Sequence, residues 1–173
     1  MNVQIKYKNF NSEKNSVNHV LFVDEYFNIL NLKKHLLDKE YSFVSDLLKS
    51  KDLKKKIIDL DINSKKKIIL ISLKKNISSS ELENLGAIFF DTFKNSKTIN
   101  YILNTDLVPI KLKNAVGHFL HGIKLKSYTF EKYITKKNKK NITLYVKGKN
   151  IPSTNEQIKF KAIEEGSFYT RDL

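Results

Sequence analysis

His118 and His121 stand three positions apart in a segment of helical periodicity, so both can lie on one helix face, a spacing able to hold a metal ion. No acidic residue follows at helical spacing to complete a ligand set. Phe119 and Leu120 between them belong to the apolar stripe, so the pair reads as two partly exposed structural histidines. His19 and His35 are isolated, the chain has no cysteine, and no serine motif accompanies any histidine, so nucleophilic catalysis finds no partners. Asp59 and Asp61 are same-face neighbours if their segment is a strand, as paired carboxylates can be. Lys54–Lys56 and Lys65–Lys67 flank them, which predicts a solvated, charge-compensated face. The five glycines are scattered, leaving neither a dinucleotide fingerprint nor a phosphate-binding loop.

Charge is the other chemical signal. Lys and Arg number 32 against 18 Asp and Glu, a net +14. Arg171 is the single arginine, so phosphates could be neutralised but base edges would be read poorly, since bidentate readout favours the guanidinium fork. The densest groups are Lys54, Lys55 and Lys56, then Lys65, Lys66 and Lys67, and then Lys136, Lys137, Lys139 and Lys140 in a Lys/Asn loop. Two readings stay open, a solvated basic surface and weak, sequence-independent DNA or RNA binding.

At 173 residues with 40 % hydrophobic content the chain suits one domain, 1–173, with a full core. No apolar run approaches the roughly 20 residues of a membrane span. The first residues alternate like a strand rather than a secretory leader, and the absence of cysteine removes any disulfide framework. A soluble cytoplasmic protein without membrane contact is the expectation.

The elements follow from periodicity. Val3, Ile5 and Tyr7 alternate as a first strand, and Val17–Val23 reads as a more central one. Asp24–Asp38 supports only a short, irregular helix, after which Phe43, Val44, Leu47 and Leu48 form a helical stripe. Ile57–Ile62 and Ile68–Leu73 predict strands. Ser78-x-x-Glu81 and Ser80-x-x-Glu83 each match a capping box before a helix with Leu82, Leu85, Phe89 and Phe93 inward and Ile88 and Phe90 as a second apolar edge. A strand over Thr98–Leu103 follows, and Pro109 suits the first turn of a helix carrying Leu112, Val116, Phe119, Leu120 and Ile123. Tyr128, Phe130 and Tyr133 form a short extended aromatic piece before the strand of Ile142, Leu144 and Val146. Ser153-x-x-Glu156 caps a last helix with Ile158, Ala162, Ile163 and Tyr169 as its inner face. Strands interleaved with helices predict an α/β sandwich around a mixed, mostly parallel sheet.

Within the last third, Gly122, the string Ser127-Tyr128-x-Phe130-x-Lys132-Tyr133, Gly166 and the terminal Arg171-Asp172-Leu173 stand in an order that resembles the N-terminal domain of the M17 leucyl aminopeptidases. The similarity runs from about Asn114 to Leu173. Thr129 stands where many relatives have arginine, and Glu131 where they have aspartate. The first hundred residues share only the rhythm of strands and helices.

The resemblance implies a macro-domain-like three-layer sandwich acting as a non-catalytic domain in assembly, active-site access or regulation. It implies a catalytic domain following Leu173, a hexameric parent, and two divalent metals there (zinc, manganese or magnesium) that activate water for peptide hydrolysis. No catalytic or metal residue transfers to this chain. Tyr128, Phe130 and Tyr133 read as core anchors rather than ligand contacts, Lys132 as a possible carboxylate partner, and Arg171 and Asp172 as a hinge. M17 enzymes carry a metal-binding Asn-Thr-Asp-Ala-Glu-Gly-Arg segment, but Asn104-Thr105-Asp106 here runs into Leu107, Val108 and Pro109, so that match is chance.

Overall fold

A computed structural model describes residues 2–7, 18–96, 99–112, 114–128 and 141–172. Phe130, Lys132, Tyr133, Lys136, Lys137, Lys139, Lys140 and Leu173 lie outside them. The elements in order are β1 (Asn2–Lys6), β2 (Asn18–Asp24), a 3-10 helix (Leu30–Lys34), α1 (Asp38–Lys49), β3 (Ile57–Asn63), β4 (Lys66–Leu73), α2 (Ser79–Phe93), β5 (Asn100–Asn104), α3 (Ala115–Ser127), β6 (Asn141–Lys147) and α4 (Thr154–Asp172).

Among the described residues the sheet has six strands in the order β1-β6-β5-β2-β4-β3. All pairs are parallel except the β3–β4 hairpin, so the predicted three-layer α/β sandwich with a mostly parallel sheet is observed. β2 is indeed internal, held between β4 and β5. Strand alternation divides its residues between two cores. Val20 and Phe22, with Ile69, Ile71 and Leu73 of β4, face α2 and α3. Leu21 and Val23, with Ile68 and Leu70, face α1 and the 3-10 helix. Both faces are apolar, which is why the β2 and β4 sequences read as nearly continuous hydrophobic runs.

α2 and α3 pack against each other and share the larger core with the sheet. Phe119 meets Phe22 at 5.6 Å and Phe89 at 5.7 Å, and Phe89 meets Tyr101 at 5.6 Å, all edge to face. The helices cross where each carries a glycine: a Cβ on Gly122 would collide with the carbonyl of Glu83, and one on Gly86 with the carbonyl of Phe119. Gly122 is therefore a packing requirement, which gives a structural meaning to a residue singled out by resemblance.

Several expectations are corrected. Pro109 does not open α3: residues 109–112 form a turn, with Leu112 N–H donating to Pro109, and the helix starts at Ala115 behind Asn114 at φ 62°. Of the two capping boxes before α2, only Ser78–Glu81 forms; Glu81 accepts from Ser78 N–H at 2.9 Å, while Glu83 turns to His118. Ile88 and Phe43 are exposed at the rims of their helices. The inner face of α4 is not Ile158, Ala162, Ile163 and Tyr169, which all face solvent. Phe160 and Glu164 are buried instead, with Gln157, Ser167 and Phe168 partly so, a stripe one register away. Its cap is as predicted, Ser153 donating to Glu156 at 2.9 Å.

Candidate functional site

The residues with chemical potential gather where α3 meets its helical neighbours. From α3, His118 reaches Glu83 of α2 (Nδ1 to Oε1, 2.8 Å) and His121 reaches Glu164 of α4 (Nδ1 to Oε1, 3.0 Å). The Phe160 ring lies against both imidazoles, at 5.0 and 4.9 Å. Sequence spacing placed the histidines correctly on one helix. It could not supply their partners, which lie 35 and 43 residues away. His121 is also far more buried than expected, 5 % exposed. Burial pushes the Glu164 carboxyl above the usual carboxylate range, while the His121 hydrogen bond and the Lys124 charge pull it back.

A cleft of about 270 Å³ opens beside this pair, lined by Tyr7, His121, Lys124, Phe160, Lys161 and Glu164 among others. Burial, reinforced by Glu164 and Glu156, pushes the Tyr7 hydroxyl up to about 12, so it is a neutral donor at any physiological pH. Each histidine is committed to one carboxylate. Among the described residues no three His, Asp or Glu side chains are grouped so as to hold a metal.

At the far end of α3 and α4 lie Ser127, Tyr128, Arg171 and Asp172 of the resemblance. Ser127 is buried and its hydroxyl donates to Lys124 O at 2.8 Å. Tyr128 stacks on Phe168 at 4.6 Å, its hydroxyl bonds Asp172, and the Arg171 guanidinium lies 5.7 Å over its ring. A wide depression of about 710 Å³ beside them is lined by Glu83, Gly122, Lys126, Tyr128 and Arg171 among others.

The Asp59–Asp61 face is charge-compensated as predicted: Lys67 bridges Asp59 at 3.3 Å and Asp61 at 3.0 Å. Lys66 is committed to Glu40. Of the basic triplets, Lys54, Lys55, Lys56 and Lys65 are exposed. The first three line a cleft of about 390 Å³ with Tyr26, Glu25 and Lys74. Asn104, Thr105 and Asp106 act as a clamp between loops: Thr105 Oγ1 accepts from Asn150 N–H at 3.1 Å, Asp106 from Lys149 N–H at 2.8 Å, and Asn104 meets His35 at 3.0 Å.

Among the described residues no helix is long and apolar enough to cross a membrane. Neither a family model nor a curated protein matches the sequence. Among solved structures the chain is similar to a tomato leucine aminopeptidase mutant, with a TM-score of 0.62 and 18 % identity over 96 % of this chain and 36 % of that one. The chain thus spans little more than a third of the enzyme's length, and at that identity the likeness is one of fold.

Proposed function

We propose that this chain serves as the non-catalytic N-terminal domain of an M17-type, two-metal leucyl aminopeptidase, contributing to assembly, active-site access or regulation. The observation that carries this reading is the coverage: the likeness takes in 96 % of this chain but 36 % of the tomato enzyme, as a domain would match a larger protein. The residues described do not fit two metal ions. Asp59 and Asp61 are occupied by Lys67, and the two His–Glu pairs point to different helices. In this reading zinc, manganese or magnesium and hydrolysis belong to the chain's own catalytic domain, through which the hexamer of a cytoplasmic enzyme mainly assembles. Tyr128, Arg171 and Asp172 form the approach to it.

The test has two arms. Purified chain is assayed on leucine p-nitroanilide with added manganese and with added zinc, and no turnover is expected. Native extract is fractionated, following the chain by antibody. The chain is expected to co-migrate with metal-dependent leucine aminopeptidase activity, well above the size of the chain alone. Turnover by the purified chain, or migration apart from that activity, overturns the proposal.

A second reading is weak, sequence-independent nucleic-acid binding. It is favoured by Lys54, Lys55, Lys56 and Lys74 sharing one cleft with Tyr26, which is 79 % exposed and offers a stacking surface.

A further inference from the structure

The basic cleft behind the nucleic-acid reading sits at a particular place in the sheet. β2 lies between β4 and β5, with α1 against one face of the sheet and α2 and α3 against the other. The chain leaves β2 over one face and returns to β5 over the other. Open α/β sheets receive ligands outside the carboxyl ends of their strands at such a reversal. Two clefts open there. One, of about 340 Å³, is lined by Asp24 and Leu73, the paired last residues of β2 and β4. The other, of about 390 Å³, is lined by Lys54, Lys55 and Lys56, just ahead of β3. Both fall in the size range of small-ligand sites. They share Glu25, Tyr26 and Lys74, so Tyr26 stands where the two meet.

The loop after β2 holds Tyr26 outward. Asp24 Oδ1 accepts from Tyr26 N–H at 3.0 Å and from Asn28 N–H at 2.9 Å, and Phe27 N–H donates to Asp24 O at 3.0 Å. Phe27 takes φ 56°, an uncommon conformation for a bulky residue, and its side chain is buried in the core on the α1 side. With Phe27 anchored inward, its neighbour Tyr26 is left 79 % exposed on a hydrogen-bonded turn. A backbone fixed in this way presents the ring with no further ordering of the loop.

Positive charge flanks the ring on both sides. Lys54, Lys55 and Lys56 line one cleft, Lys75 the other and Lys74 both, and all five are exposed. Of the three carboxylates lining the clefts, Asp24 is engaged in the turn and Glu81 in the α2 cap, accepting from Ser78 N–H at 2.9 Å. Glu81 approaches Lys74 only to 3.9 Å, and Lys54, Lys55, Lys56 and Lys75 form no ion pair among the described residues.

We propose that these joined clefts bind single-stranded nucleic acid, with a base stacked on Tyr26 and the adjoining phosphates received by the lysines on either side. Resting on the nucleic-acid reading, this names the form of nucleic acid that the site takes. In a duplex the bases are stacked on one another and meet a protein by their edges, so the Tyr26 ring finds no free face. A single strand offers one at every nucleotide. The clefts hold five lysines and no arginine, so phosphates are met as point charges without bidentate reading of base edges. The selection is therefore for strandedness and not for sequence.

Fluorescence anisotropy of the purified chain at about 50 mM salt is the test, with three labelled probes of about twelve nucleotides. They are an oligothymidylate, a duplex, and an abasic strand that keeps the deoxyribose phosphates but lacks the bases. Lysine contacts alone favour the duplex, whose charge is denser. The oligothymidylate is instead expected to bind about threefold or more tighter than the duplex and about tenfold tighter than the abasic strand. Tyr26→Ala, at an exposed position, is expected to melt like the parent and to weaken oligothymidylate binding by about tenfold. Its duplex affinity and log–log salt slope stay unchanged, and Tyr26→Phe, which keeps the ring, stays within about twofold of the parent on every probe. Absence of binding to all three probes overturns the nucleic-acid reading and this inference with it. A duplex or abasic strand bound as tightly as the oligothymidylate, or Tyr26→Ala with undiminished affinity for it, overturns the inference alone and leaves the lysine contacts of that reading in place.

Discussion

His121 on α3 and Glu164 on α4 face each other at 3.0 Å with side chains 5 % and 11 % exposed, a polar contact that joins the last helix to α3 beside the ring contacts of Phe160 and Phe168. Removing one partner strands the other in a low-dielectric site. His121→Ala is expected to cost about 3–5 kcal/mol in urea unfolding, while the paired replacement His121→Leu with Glu164→Leu recovers at least half of the loss. Equal destabilisation by the single and the double variant would show that helix packing rather than the polar pair is responsible.

Two glycines of the resemblance should respond to alanine with opposite signs. Gly122→Ala drives a methyl into the Glu83 carbonyl and should destabilise by about 1–3 kcal/mol or more. Gly166 has nothing within 4 Å of its would-be Cβ, so Gly166→Ala should gain about 0.5–1 kcal/mol from helix propensity alone. Thermal melts of both variants decide it, and a loss at Gly166 would reveal a contact on that face of α4.

His19 sets an acid limit. Burial, then the charges of Lys66 and Lys147, lower its pKa from 6.5 to about 4, against a smaller opposing pull from Glu40. The unfolded chain therefore binds this proton first as pH falls. Stability is fully present above about 6.5 and declines between about 6.5 and 4, by up to about 3 kcal/mol from this group. His19→Gln should flatten that part of the stability–pH curve; an unchanged slope assigns the acid sensitivity elsewhere.

Lysines of equal sequence density differ in what they can offer a polyanion. Replacing Lys54, Lys55 and Lys56 with Gln should reduce the log–log salt slope for duplex DNA by up to about 0.9 per lysine that contacts phosphate. Lys66→Gln and Lys67→Gln should leave that slope unchanged, because both ammonium groups already face carboxylates. Fluorescence anisotropy across salt reads both, and a slope lowered by Lys66→Gln would mean that its pairing with Glu40 yields to phosphate.

What was readable in the sequence follows from where the signal sits. β4 and α2 are local statements: a β-branched run, and a Ser78–Glu81 box followed by aromatics at helical spacing. They appear as expected. The α4 face differs from its sequence signal because Ile158, Ile163 and Tyr169 together outweigh Phe160 in hydrophobicity, while the buried stripe includes a glutamate. Only the phase Phe160, Glu164, Phe168 hinted at it, and the reason to bury Glu164 lies 43 residues upstream at His121. Pro109 misled for a related reason. A proline marks a turn as readily as a helix start, and the choice is made by the Thr105–Asn150 clamp, which joins loops distant in sequence.

The register of β1 has a consequence for how the chain is made. Asn2 pairs with Asn141 and Lys6 with Tyr145, so β1 takes its sheet partner from β6, made only after the four strands between them. At about 5–20 residues per second, β1 waits on the order of ten seconds after its synthesis before β6 exists to receive it. Through that interval β2, β3, β4 and β5 can assemble with α1 and α2, but the β1 amides and carbonyls have no ladder. Lys124, whose ammonium later binds Val3 O at 3.1 Å, has not yet emerged for much of it. A nascent chain stalled before β6 would thus carry a settled four-strand half and an unpaired β1, the segment on which a holding chaperone would act.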